Sequence, residues 1–74
     1  MKKYSLTVVA EATGYGREAL ALYVRANGRN PAHGMDLSQV IDFLKAMRRK
    51  NGCRHDPAEV EELRDLLRAA GLAE

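Results

Sequence analysis

The sequence predicts an all-α domain of four helices with a helix-turn-helix near its start. Three observations lead to this prediction. Apolar residues recur three and four positions apart in four segments, at about residues 8–13, 17–26, 37–50 and 57–70. A glycine stands just beyond each segment, where a left-handed residue commonly ends a helix. The 74 residues are also few enough to form a single domain, spanning 1–74.

The first two predicted helices are joined by a tight turn. We place the first N-cap at Thr7 and the end of that helix at Gly14. In the second helix, Leu20, Tyr23 and Val24 recur at helical spacing and therefore share one inward face. This pattern is typical of a helix-turn-helix, whose second helix can lie in a DNA major groove. The alternative is an ordinary αα-hairpin in a small helical domain.

A polar loop follows the second helix. Pro31 lacks a backbone N–H and cannot continue a helix, and Gly34 permits a turn. Arg29, Asn30 and His33 are able to reach phosphates or a minor groove. The alternative is a surface loop that is polar only because turns favour polar residues. The sequence leaves both interpretations open.

The third helix has the clearest start signal. Asp36 as N-cap and Gln39 three residues later form a capping box. The expected apolar stripe consists of Leu37, Val40, Ile41, Leu44 and Met47. Phe43 lies off the centre of this stripe and is expected to cover a neighbouring helix. The last turn, 48–50, is basic, which suits either the negative end of the helix dipole or a phosphate contact.

The fourth helix is expected to open on a second capping box. Asp56 would be the N-cap, Pro57 the first helical residue, and Glu59 the far member of the box. One face of this helix is expected to be apolar, formed by Val60, Leu63, Leu66, Leu67 and Ala70. Gly71 closes the helix, and we expect residues 72–74 to be frayed.

Composition excludes several classes of protein. Hydrophobic residues make up 46% of the chain and charged residues 30%, yet no apolar run approaches the roughly 18 residues of a membrane span. The basic start is not followed by a signal-peptide core, so we expect a cytoplasmic protein, of a bacterium or of a virus that infects one. Cys53 and His55 supply too few ligands for structural zinc. No catalytic triad pattern or phosphate-binding glycine loop occurs, so we expect neither an enzyme nor a cofactor.

Charge is distributed unevenly although the net charge is only +2. Residues 38–55 contain five basic residues and one acidic residue, whereas residues 56–74 contain two basic and six acidic residues. A basic body suits a polyanion such as DNA, although ordinary scatter of surface charge is the alternative.

The order of the motifs resembles the N-terminal DNA-binding domain of the MerR family, whose architecture phage excisionases share. The resemblance rests on Tyr4-x-Leu6-x-x-Val9-Ala10-x-x-Thr13-Gly14, then Leu20-x-x-Tyr23, Gly28 with Pro31, and Gly34. It implies a winged helix-turn-helix in which the second helix enters the major groove and residues 28–35 form a short wing. Met35 and Asp36 stand where the family has a wing strand, and Glu18 and Ala21 stand where basic residues are common.

The resemblance implies a small sequence-specific DNA-binding protein, either a transcriptional regulator or an excisionase-like accessory factor of a phage or mobile element. The candidate DNA-binding residues are Lys2, Lys3, Tyr15, Arg17, Glu18, Arg25, Arg29, Asn30 and His33. We expect Arg17 and Glu18 to reach base edges and Arg25 to take a phosphate. Double-stranded DNA is the expected partner and a homodimer the expected assembly, with no small-molecule effector.

A second function fits the same fold. The outer face of the second helix carries little positive charge for a helix that would enter a DNA groove, because Glu18, Ala21 and Leu22 lie on it. The chain is therefore also consistent with a protein-interaction module that keeps the helix-turn-helix without binding DNA. In that case Leu22 would contact another chain, including a second copy of this one.

Overall fold

The computed structural model describes residues 2–54 and 56–72. Its elements in chain order are β1 (Lys3–Tyr4), α1 (Leu6–Thr13), α2 (Arg17–Ala26), a 3₁₀ turn (Pro31–His33), β2 (Met35–Asp36), α3 (Leu37–Lys50) and α4 (Glu59–Ala69). The prediction of a small, mostly helical domain with four helices is confirmed. The prediction of an all-α fold is wrong in one respect, because two short strands form a sheet.

The two strands bring the start of the chain against the segment before α3. They are antiparallel, with Lys3 opposite Asp36 and Tyr4 opposite Met35. The sequence analysis assigned no strand to residues 35 and 36, and the structure places one there. Met35 is fully buried, so its segment is extended and drawn against the core before the helix begins. Gly34 allows this approach, since a Cβ at its φ of 74° would collide with the Tyr4 carbonyl oxygen.

Helix α1 begins two residues earlier than expected. Ser5 is its N-cap, with the side-chain oxygen accepting the Val8 N–H at 3.3 Å, so the cap is not Thr7. Thr7 instead lies exposed in the first turn. The helix ends as predicted at Gly14, whose φ of 80° is left-handed and whose N–H bonds to the Ala10 carbonyl.

The core lies where all four helices and both strands meet. Its buried apolar residues are Tyr4, Val9, Leu20, Val24, Met35, Leu37, Val40, Ile41, Phe43, Leu44, Leu63, Leu67 and Leu72. Phe43 is fully buried and contacts the neighbouring helix α2, as expected. It packs edge-on against Tyr15 and Tyr23, with ring centroids 5.1 and 5.2 Å apart, and so ties α3 to the α1–α2 unit.

Helix α3 has the predicted bounds and capping box. Asp36 accepts the Gln39 N–H at 2.9 Å, and the Gln39 side chain accepts the Asp36 N–H at 2.9 Å. The second predicted box, at α4, is wrong. Asp56 instead caps the turn before the helix by accepting the Ala58 N–H, and the Glu59 carboxylate turns inward towards α3.

The segment that follows α4 folds back onto the core through Leu72. Its N–H bonds to the Leu67 carbonyl at 2.8 Å, and Gly71, with a φ of 93°, donates to the Arg68 carbonyl. These two bonds form a Schellman motif, which places Leu72 in the core with 1% of its surface exposed. The expected fraying is therefore wrong at Leu72, and residues 73 and 74 lie outside the described part of the chain.

Candidate functional site

A groove of about 690 Å³ lies between the start of α1, the outer face of α2 and the turn at 31–34. We call it the α2 groove. Helix α2 contributes Arg17, Glu18, Ala21, Leu22 and Arg25 to its wall. These positions share one face because they recur three and four apart, while Leu20 and Val24 point into the core.

The two arginines of the α2 groove are available to a ligand. Both are exposed, and Arg17 donates to the Thr7 hydroxyl across the groove at 3.4 Å. Among the residues that the structure describes, no carboxylate forms an ion pair with Arg25. Glu18 is the acidic side chain in the groove lining. The groove therefore presents two guanidinium groups against one carboxylate, in a setting that favours an anionic partner.

The floor between these charges is apolar. Ala21 and Leu22 come from α2, and Pro31 and Ala32 face them from the turn. Leu22 is 65% exposed, the largest exposure among the large hydrophobic residues that the structure describes. The α2 groove thus combines cationic ends with an apolar middle.

A second concavity, which we call the loop hollow, lies on the other side of the same loop. It is lined by Lys3, Gly28, Arg29, Asn30, His33, Gly34 and Gln39. Lys3 lies 3.2 Å from the Gln39 side-chain oxygen and 3.7 Å from the Asp36 carboxylate, so its charge is partly compensated. Asn30 accepts the Ala32 N–H at 2.9 Å and so caps the 3₁₀ turn. Gly34 borders both concavities.

The structure distributes the nine predicted site residues over distinct places. Arg17, Glu18 and Arg25 line the α2 groove, and Lys3, Arg29, Asn30 and His33 line the loop hollow. Tyr15 lines neither of them, because its half-buried ring packs on Phe43. Lys2 places its ammonium 5.2 Å from the centre of the Tyr4 ring, a cation–π contact.

The sequence interpretation missed the contribution of α1 to the groove. Ser5 and Thr7 line it because the helix begins at Leu6, so that its first turn faces α2. The signal was present, since serine is among the residue types preferred at an N-cap and Ser5 precedes the apolar positions of α1. Placing the cap at Thr7 put the first turn too late to show this contact.

The basic last turn of α3 forms ion pairs with α4. The Glu59 carboxylate, 1% exposed, accepts two bonds from Arg49 at 2.9 and 3.0 Å and lies 3.8 Å from Arg48. Arg48 also lies 3.9 Å from Glu62. The sequence left a helix-dipole role and a phosphate contact open for this turn, whereas the structure shows Arg48 and Arg49 forming ion pairs with Glu59, a role that neither interpretation included.

The pKa of the Tyr23 side chain is raised. Burial raises the pKa of its phenol, and the nearby Asp42 carboxylate raises it further, against opposing effects of Asn27 and Arg29. The side chain borders a small cleft beside α3, away from the α2 groove. We therefore assign the shift to packing.

Other site classes find no support in the described residues. Within 2–54 and 56–72, no three His, Cys, Asp or Glu side chains are grouped as metal ligands. Cys53 is exposed, and His55, its sequence neighbour in the pair considered above, lies outside the described residues. In the same ranges, every helix is too short or too polar to cross a membrane.

Comparisons with protein-family models, with curated proteins and with solved structures give no match to this chain. The resemblance to the MerR family therefore stays a prediction that rests on the sequence motifs.

Proposed function

We propose that this chain is a small DNA-binding protein that presents α2 to the major groove. The observation that carries the proposal is the α2 groove, in which Arg17 and Arg25 lie on one exposed face of the second helix of a two-helix unit. Leu20 and Val24 hold the opposite face in the core, which fixes that orientation. This is the arrangement that a helix-turn-helix needs in order to expose its second helix to DNA.

The dimensions of α2 suit this role. An α-helix with its side chains is about 10–12 Å across, which fits a major groove about 12 Å wide, and the ten residues of α2 extend about 15 Å along it. Arg17 and Glu18 lie in the first turn, the part of a recognition helix that meets base edges. An arginine pairs well with guanine and a glutamate accepts from the cytosine amine, so the two together would read a G·C-containing step. Arg25, two turns later, would contact a phosphate.

The loop hollow would anchor the adjoining DNA backbone. Lys3 and Arg29 supply its positive charge, and Asn30 and His33 add polar groups on the same loop. Contacts of this kind position the protein on the duplex and carry no sequence information by themselves. We assign this loop with its two-stranded sheet as the wing, which makes the chain a winged helix-turn-helix of the MerR or excisionase type. The biological role is then transcriptional regulation or excision of a mobile element, in the cytoplasm.

A salt titration of DNA affinity tests the proposal. Fluorescence anisotropy with a labelled duplex should show log K falling linearly as log salt rises. Arg17→Ala and Arg25→Ala should each weaken binding, and any arginine that contacts a phosphate should flatten the slope by about 1 when it is removed. Arg68→Ala is the matched control, because Arg68 is also exposed but lies on α4.

Two results would contradict DNA binding through this face. One is a slope near zero for the unaltered chain. The other is an equal loss of affinity in Arg68→Ala and Arg17→Ala, which would mean that charge anywhere on the surface serves equally well.

One observation favours a second function, a protein-interaction module. Leu22 is 65% exposed at the centre of the same groove, and it offers nothing to a phosphate. If the chain binds protein through this face, Leu22→Asp should abolish association, and DNA affinity should be at background level.

A further inference from the structure

We infer that the α2 groove binds a strip on α4 of a second copy of this chain, so that copies associate head to tail. We define the α4 strip as Glu62, Asp65, Leu66 and Ala69. The inference uses the groove of the proposed function but does not require that DNA binds there.

The strip is a continuous exposed band along one flank of α4. Glu62, Leu66 and Ala69 recur four and three apart, and Asp65 lies beside them. All four are exposed, whereas Leu63 and Leu67 hold the neighbouring face in the core. The prediction that Leu66 belongs to the buried face is wrong, because 54% of its surface is exposed. The strip therefore places the apolar Leu66 and Ala69 beside two carboxylates.

The groove and the strip are complementary in charge and in polarity. The groove places Leu22 between Arg17 and Arg25, and the strip places Leu66 beside two acidic residues. Docking them would bury the two most exposed leucines of the described chain against each other, at 65% and 54% exposure. The carboxylates would meet guanidinium groups, a charge-assisted contact.

The ion pairs that the strip residues form within their own chain compete only weakly with this contact. Asp65 lies 3.4 Å from Arg68, and both side chains are more than two-thirds exposed. Glu62 lies 3.9 Å from Arg48 and is itself 58% exposed. Exposed pairs of this kind contribute little to stability, so exchanging them for intermolecular pairs costs little.

Within one chain the two surfaces belong to different parts of the fold. Helix α4 packs on α3, and none of the described groove-lining residues comes from α4. Each copy thus presents a groove and a strip on separate faces. Contact between unlike faces is heterologous, so an open row of copies has one unfilled groove at one end and one unfilled strip at the other.

A filled groove would also be closed to other ligands. If α2 reads DNA, a copy docked in the groove covers Arg17 and Arg25 and excludes the duplex. Self-association and DNA binding would then compete, and dilution or DNA would each disassemble the head-to-tail chain.

Two blocking variants and their mixture test the inference by sedimentation velocity, from about 10 μM to about 1 mM protein. Leu22→Asp places a carboxylate in the groove, and Leu66→Asp places one where the strip should meet Leu22. Both sites are exposed, so both variants should fold, which circular dichroism checks. The unaltered chain should grow in mass with concentration. Each variant alone should stay at the mass of one chain.

The equimolar mixture gives the decisive result. The intact strip of Leu22→Asp should bind the intact groove of Leu66→Asp, giving a species of twice the monomer mass that grows no further. Growth of Leu66→Asp alone would overturn the inference and would indicate a symmetric contact through Leu22. A mixture that stays monomeric, or an unaltered chain that never associates, would also overturn it.

DNA binding is scored separately on Leu66→Asp, whose groove is intact. If this variant binds no DNA while the mixture still forms the heterodimer, the proposed function fails and the head-to-tail contact stands. If it binds DNA while the mixture stays monomeric, the reverse holds.

Discussion

Replacing Arg49 with alanine should strongly destabilise the junction of α3 and α4. It leaves the Glu59 carboxylate, 1% exposed, without the guanidinium that bonds both of its oxygens at 2.9 and 3.0 Å. The remaining described cation is Arg48, at 3.8 Å. A buried carboxylate that loses its partner keeps the cost of its desolvation and loses the compensating attraction.

The size of the effect follows from this geometry. Removing one partner of a buried ion pair costs about 3–5 kcal/mol. Arg48 compensates in part, and the Arg49 side chain is itself 36% exposed, so we expect about 2–4 kcal/mol. For a domain of this size, that loss should lower Tm by at least about 8 °C.

Urea or thermal unfolding followed by circular dichroism measures the loss. Glu59→Gln should cost less than Arg49→Ala, because it removes the charge that needs a partner. Arg49→Met with Glu59→Leu should recover much of the stability, since an apolar pair can replace a buried ion pair. The matched control is Asp65→Ala, whose exposed pair with Arg68 should be worth less than about 1 kcal/mol. An Arg49→Ala protein as stable as Asp65→Ala would refute the reasoning.

Three further changes probe other parts of the fold. Gly34→Ala should destabilise the domain by more than about 1 kcal/mol in urea unfolding, because its Cβ collides with the Tyr4 carbonyl oxygen; Gly28→Ala, with a similar positive φ but open space around it, is the control. Leu72→Ala should cost about 2–3 kcal/mol in the same assay despite lying near the chain end, since its side chain is 1% exposed; a loss near zero would mean that the end is frayed. Because the pKa of Tyr23 is raised above 10.0 in the folded chain, the unfolded chain releases that proton first and stability should fall as pH rises past about 10; unfolding of Tyr23→Phe should lack this component.

Local signals in the sequence were sufficient for most of the helical structure. The capping box at Asp36 and Gln39 and the stop at Gly14 depend on residues within one turn of each other, so the pattern and the structure agree. The end of α4 was equally local, since a glycine followed by Leu72 is the pattern of a Schellman motif. That signal was available and was interpreted as fraying.

Contacts between distant segments could not be predicted in this way. The sheet pairs Lys3 with Asp36 through strands of two residues, too short for any alternating pattern to show. Glu59 fits a local capping box equally well, yet its carboxylate bonds to Arg49, ten residues earlier. Contacts with distant residues determine both the strand pairing and the position of the Glu59 carboxylate. The local sequence does not show which distant residue will be the partner.

The sequence predicted the residues of the candidate site better than it predicted how they are arranged in space. The helical spacing placed Arg17 and Arg25 on one face, and the structure has them in one groove. The sequence could not show that the loop after α2 separates this groove from the hollow that holds Arg29 and His33. Gly34, which borders both concavities, packs against the backbone of Tyr4 in β1, thirty positions earlier in the chain.

A DNA titration followed by nuclear magnetic resonance tests the central claim most directly. A short duplex at low salt should shift the backbone amide signals of α2, above all at Arg17, Glu18 and Arg25, and to a lesser extent those of the loop hollow. The exposed side of α4 should be unaffected at protein concentrations too low for self-association. Shifts centred on α4 or on residues 48–50, with α2 unmoved, would contradict the account.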